Sequence, residues 1–126
     1  MSGPSISPPS LFSEAEARGV VPPTEKTLEK YGITQEEWLG LLAAQGWICP
    51  ICMKDKNRWN TDHEHVAGWA KMPPERRKLY VRGVLCWRCN HRRVNSLMPA
   101  YEAVRIAEYL KAYERRRDGA SGTVSV

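Results

Sequence analysis

Two cysteine pairs constrain this chain more than any other feature: Cys49-x2-Cys52 in "CPIC" and Cys86-x2-Cys89 in "CWRC". A CxxC turn points two thiolates at one ion, and two such turns complete the tetrahedron that zinc takes. The alternatives are a pair of disulfides, a redox dithiol, or a mixed site joining Cys49 and Cys52 to His63 and His65. Disulfides need an oxidising compartment. The N-terminus has neither the basic start nor the apolar stretch of a secretory signal, and no apolar run approaches the roughly 18 residues of a membrane span. The chain therefore reads as intracellular and cytoplasmic, with no membrane partner. Finger-type histidines stand roughly three to five residues apart, and His63-x-His65 is tighter. The four cysteines are assigned to one structural zinc, which leaves the histidines free for other work.

A length of 126 residues predicts one domain. Residues 1–23, "MSGPSISPPSLFSEAEARGVVPP", are rich in Ser, Pro and Gly and read as a flexible arm or wrapping segment. Residues 24–97 form the expected zinc-stabilised domain, residues 98–117 a C-terminal helix, and residues 118–126 a frayed tail. About ninety residues carry the core, a size at which a metal or disulfides commonly supplement apolar burial. The net charge of +5 is unevenly placed: residues 1–70 carry −3 and residues 71–126 carry +8. A basic half on a small domain suggests a polyanionic partner, above all nucleic acid. Arg82, Arg88, Arg92 and Arg93 are the candidate phosphate contacts.

Between these landmarks the pattern predicts an α+β chain. A short helix runs from Thr24 to Gly32. A stronger one follows in "ITQEEWLGLLAAQG", where Thr34 and Glu37 make a capping box and Gly46 a stop. Trp38, Leu41 and Leu42 fall on its core face. "RWNTDHEH" suits a strand at a site, "PPERRKLY" a short connecting helix, and "YVRGVLC" a strand in which Gly83 marks a bend or a close approach. "NHRRVNSL" looks helical, and Pro99 opens the last helix. That helix carries an apolar stripe of Tyr101, Val104, Leu110 and Tyr113 and ends on three arginines, Arg115 to Arg117, which suit its dipole.

The insert between the cysteine pairs, 33 residues long, carries "NTDHEH". Asp62 is a hard oxygen ligand suited to magnesium or manganese. Asn90 follows a zinc ligand directly, so the knuckle fixes it in place. His63 has the pKa range of a general base near neutral pH. In an ideal strand Asp62 and His63 point to opposite faces, whereas His63 and His65 share one. For Asp62 and His63 to serve one phosphate, the strand must bend or end there.

"YGITQEEWLGLLAAQGWICPIC", then "TDHEH", then "VRGVLCWRCN" resembles the recombination endonuclease VII family of phage-type HNH nucleases over about residues 28–95. The resemblance implies a small α+β fold with a ββα-metal (His-Me finger) core, flanked by helices, in a phage or prokaryotic host context. It implies that Cys49, Cys52, Cys86 and Cys89 hold the zinc. It further implies that Asp62 and Asn90 hold a catalytic Mg2+ or Mn2+, that His63 activates water, and that His65 positions the scissile phosphate of DNA. Two positions depart from the family pattern. Glu64 stands where Asp is common, and Arg93 stands where members carry an acidic residue, leaving water or His91 to fill that ligand position.

A metal-dependent DNA endonuclease is the reading this combination favours. A zinc-knuckle nucleic-acid-binding module without catalysis fits the knuckles and the charge equally well, but leaves the Asp-His pair and Asn90 unexplained. A zinc-stabilised protein-interaction domain has only the apolar stripe of the last helix in its favour. One such nuclease site cuts one strand. A homodimer paired through that helix would supply two sites for paired nicks on branched DNA.

Overall fold

The computed structural model describes residues 10–55, 58–91 and 99–120. Three helices, α1 (Leu11–Ala17), α2 (Glu25–Glu29) and α3 (Gln35–Ala44), precede strand β1 (Trp59–His63). A single-turn helix, α4 (Pro74–Arg77), lies in the connection to β2 (Val81–Cys86). The short α5 (Trp87–Asn90) follows β2 directly, and α6 (Ala100–Ala120) ends the described chain. The strands pair antiparallel as a two-stranded sheet, so the fold is small α+β, as the sequence pattern predicts.

The helix signals in the sequence translate closely. Thr34 caps α3 by accepting from the Glu37 backbone N–H, and the Glu37 carboxylate accepts from the Thr34 N–H, which completes the capping box. Gly46, at φ +74°, ends the helix where a residue with a Cβ would be strained. Within α3 the buried residues are Trp38, Leu39 and Leu42. Leu41, placed in the core by periodicity, is only partly buried and lines a groove of about 650 Å³ between α3 and α6.

The segment 1–23 is not an arm throughout. Ser10 caps α1 by accepting from the Ser13 N–H, and the small Ala15 fits wholly beneath the surface with Leu11 beside it. Composition hid this helix, because its apolar side is only a Leu and an Ala amid Ser and Glu.

Two apolar clusters meet at the sheet. Ala15, Leu28, Ile33, Trp38, Leu39 and Leu42 form the first with Trp47, Val81 and Val84. The second is built on the knuckles, Cys49, Ile51, Leu85, Cys86 and Cys89, with Ile106 and Tyr109 of α6 packed on it. The open edge of β2 is closed by a side chain. Gln45 accepts from the Val84 N–H at 2.9 Å and donates to the Val84 carbonyl at 2.7 Å, imitating a third strand for one residue.

α6 presents a different face from the predicted stripe. Tyr113 is buried at 3% exposure, whereas Tyr101 and Val104 stand 60% and 55% exposed. The inward phase is set by Ile106, Tyr109, Tyr113 and Arg117, about one residue out of step with the apolar count. The helix also continues past Arg117 to Ala120, into the predicted tail. The helical reading of "NHRRVNSL" falls largely outside the described residues, as do Arg92 and Arg93. Among the described residues no helix is long and apolar enough to cross a membrane.

Candidate metal centre and the histidine strand

The two CxxC turns converge. All four cysteine sulfurs lie within 4.8 Å of one another, and Cys52 Sγ is 3.8 Å from Cys86 Sγ. A tetrahedron with zinc–sulfur distances near 2.3 Å has edges of about 3.8 Å, so the donor set fits zinc. None of the four forms a disulfide. Local backbone geometry makes the turns. Met53 donates its N–H to the Cys49 carbonyl at 2.8 Å, and its left-handed φ of +63° turns the chain so that the Lys54 carbonyl accepts from the Cys49 N–H at 3.0 Å. Cys86 caps α5, its sulfur accepting from the Cys89 N–H at 3.4 Å.

Burial, then the neighbouring Cys49, push the Cys89 thiol well above its usual range, and burial likewise raises Cys49. At Cys52 burial acts upward too, but hydrogen bonds from the Lys54 backbone and the other cysteines outweigh it and the net shift is downward. Four thiolates this close repel one another, and a dication removes that repulsion.

β1 and β2 carry the chemistry from the knuckles to the histidines. Asp62 faces Gly83 across the sheet and His63 faces Val81, so the register slips between them and Arg82 has no cross-strand partner. The extra residue lies on β2, at Arg82, and Asp62 and His63 keep opposite sides of β1, Asp62 against Tyr109 of α6 and His63 against Tyr31 and Trp69. The strand also ends at His63. His63 and His65 share a face, their rings stacked at 4.6 Å and 9°. Trp69 stacks on His63 at 4.4 Å and Tyr31 meets it edge-on at 5.5 Å. Burial first, then His65, hold the His63 pKa below its ordinary 6.5, against the pull of Asp62. The imidazole is thus a proton acceptor at neutral pH.

The opposite face of the strand is held by ions and α6. Arg82 donates to both Asp62 oxygens, Nε to Oδ2 at 2.9 Å and an N–H to Oδ1 at 3.2 Å. Tyr109 Oη donates to Oδ2 at 2.9 Å. Glu64 accepts from Tyr113 at 3.2 Å and from Arg117. Asn90 donates through Nδ2 to Asn60 Oδ1 at 3.4 Å, which leaves its carbonyl oxygen as a ligand atom. Asp62 Oδ1 keeps one lone pair beyond its bond to Arg82. Both are hard oxygen donors, the type Mg2+ or Mn2+ takes, Asp62 on the α6 side of β1 and Asn90 beside Asn60.

Of the arginines picked out by sequence, Arg82 is committed to Asp62 and to the His63 carbonyl, and Arg88 is exposed. Sequence reasoning missed Tyr109, Tyr113 and Arg117, because they lie 47 to 53 positions from the carboxylates they hold. It also missed Lys30 and Arg58, which ring a cleft of about 540 Å³ opening on Asn60, Thr61 and Asn90. No pattern in the chain announces those contacts, since both cations fall in the half that carries a net −3.

A family model describing recombination endonuclease VII matches residues 24–112, most of the chain. This chain belongs to the recombination endonuclease VII family. The endonuclease VII match continues past the quoted motifs into α6, as far as residue 112, which includes Tyr109. Among curated proteins, the Gene 59 proteins of Mycobacterium phage D29 and Mycobacterium phage L5 are each 35% identical over 68 residues. That alignment covers 52% of this chain, and 34% and 35% of theirs. The chain therefore spans about a third of the length of the curated relatives it matches. No solved structure matches it.

Proposed function

We propose that this chain is a metal-dependent DNA endonuclease with a ββα-metal core, hydrolysing phosphodiester bonds. The observation that carries the reading is the neutral, ring-packed His63 at the end of a strand paired with the one that leads into the knuckle and Asn90, in a chain of this family. His63 takes the proton of the attacking water. His65, stacked beside it, orients the scissile phosphate. Asp62 and Asn90 would hold Mg2+ or Mn2+, which when bound supplies positive charge against the growing charge of the phosphate. Lys30, Arg58 and Arg88 hold the flanking backbone by charge, a contribution that weakens with salt. The exposed Tyr101 and Val104 of α6 are the surface through which a homodimer would form, placing two sites on branched DNA.

One observation favours a second reading, a nucleic-acid-binding module without catalysis: Asp62 already has its charge balanced by Arg82. Both are tested by incubating the zinc-loaded protein with a four-way junction and with linear duplex, with and without Mg2+ or Mn2+. Divalent-dependent cleavage is expected, lost by about 10²–10⁴-fold in His63→Ala while binding by gel shift is kept. Binding with no cleavage under any of these conditions would establish the second reading. Paired nicks on the junction, with a dimer by sedimentation equilibrium, would support the two-site arrangement, and a monomer indifferent to the junction would defeat it.

A further inference from the structure

α6 meets the strand with a regular ladder of polar side chains. Tyr109 reaches Asp62, and Tyr113 and Arg117, one and two turns on, reach Glu64. Asp62 and Glu64 stand two residues apart on an extended chain and so share a face. The helix therefore grips the carboxylate side of this stretch, and His63 lies on the other side against Tyr31 and Trp69.

Tyr109 reaches its carboxylate through a gap. Gly83 lies opposite Asp62 in the sheet. A Cβ at that position would sit 2.9 Å from Tyr109 Oη and 3.1 Å from Cε1, closer than side chains tolerate. The absence of a side chain at 83 is what admits the phenol. The ring packs on the knuckle cluster of Cys49, Ile51, Leu85, Cys86 and Cys89, so the hydroxyl is referenced to the zinc centre.

The hydrogen-bond count at Asp62 gives this contact a role. A carboxylate oxygen has two acceptor positions. Oδ2 uses both, one for Arg82 Nε and one for Tyr109 Oη. Oδ1 uses one, for the second Arg82 N–H. We propose that Tyr109 is a positioning residue for the divalent ion: by saturating Asp62 Oδ2 together with Arg82, it makes Oδ1 the single atom left to bind the metal and fixes its direction. Without the hydroxyl, Oδ2 regains an acceptor position, and the carboxylate has two competing ways to meet an ion. The inference rests on the endonuclease reading for the identity of the ligands, and not for the geometry.

The test is Mn2+ binding to the zinc-loaded full chain, read from the electron paramagnetic resonance signal of free Mn2+, alongside cleavage at varied Mn2+. Loss of a hydrogen bond to a ligating group costs about 10–100-fold in metal affinity or activity. Tyr109→Phe, which keeps the ring, is therefore expected to weaken Mn2+ binding at least about tenfold, and to raise the Mn2+ needed for half-maximal cleavage equally, with the saturated rate largely restored. Tyr113→Phe removes a hydroxyl from the same helix but from Glu64, and is expected to leave Mn2+ binding unchanged. Equal Mn2+ affinity in Tyr109→Phe and the wild-type protein would overturn the proposal. So would an equal loss in Tyr113→Phe, since the effect would then belong to helix docking, and so would loss of zinc or of the native circular dichroism in Tyr109→Phe. A wild-type protein that shows the Mn2+ shift but cuts no DNA would sink the endonuclease reading and sustain the role of the tyrosine.

Discussion

At the scale of single residues, a buried polar atom with one partner helps to hold the strand that carries the site. Trp38 is fully buried, and its indole N–H donates to Thr61 Oγ1 at 3.0 Å. That bond ties α3 to β1 one residue before Asp62. Thr61→Val keeps the shape and removes the acceptor, leaving a buried donor without a partner. The expected loss is about 1–3 kcal/mol, measured by urea unfolding of the zinc-loaded protein. A variant as stable as the wild type would mean that Trp38 finds another acceptor. The same logic separates what was legible here from what was not. Cys49, Cys52, Cys86 and Cys89 could be assigned from the sequence, because two CxxC turns in one short chain together offer the four soft ligands of a zinc site, and the two histidines stand too close together to complete a finger. Tyr109 and Gln45 could not. Each acts through directional bonds to a strand residue far off in the chain, and nothing in a local window distinguishes a tyrosine that finds a carboxylate 47 positions away from one that only packs.

At the scale of elements, short helices are held by their ends. α3 carries the capping box, and Glu37 also pairs with Lys78, in the connection to β2. Burial acts to raise the Glu37 pKa, but Lys78 and the Thr34 backbone N–H outweigh it, and the folded value lies below the ordinary 4.5. A carboxyl whose pKa falls on folding contributes its full stability above the unfolded value, and loses it as the pH drops through the folded one. Glu37→Gln is therefore expected to be less stable than the wild type at neutral pH, with the difference shrinking below about pH 4.5. Parallel unfolding curves from pH 7 to pH 3 check this, and a gap that stays constant would assign the loss to something other than charge. Capped elements such as α3 were readable because their signals are local and chemical. α1 was obscured because its burial rests on Ala15, and the face of α6 was miscounted because its inward phase is carried by tyrosines and an arginine. Apolar periodicity is blind to side chains that go inside to make hydrogen bonds.

At the scale of the whole molecule, one metal centre replaces much of a core. The second apolar cluster is largely the knuckle cysteines themselves. Zinc on such ligands supplies roughly 10–16 kcal/mol of apparent binding free energy, against about 5–15 kcal/mol of stability for a typical domain. Stripping zinc with a strong chelator, or replacing Cys86 by Ser, is expected to unfold the chain by circular dichroism, and a native spectrum without zinc would refute this. The ligand pairs also stand on either side of the β1–β2 connection, and this has a consequence for covalent continuity. A peptide bond cut between residues 64 and 80 would leave α1 to α3, β1 and two thiolates on one piece, and β2, two thiolates and α6 on the other. The sheet, the four-cysteine site and the grip of Tyr109 on Asp62 all cross that cut. Two separate polypeptides, mixed with zinc, should therefore rebuild the histidine strand against its helix: the chain between the strands supplies a tether, and the metal supplies the join.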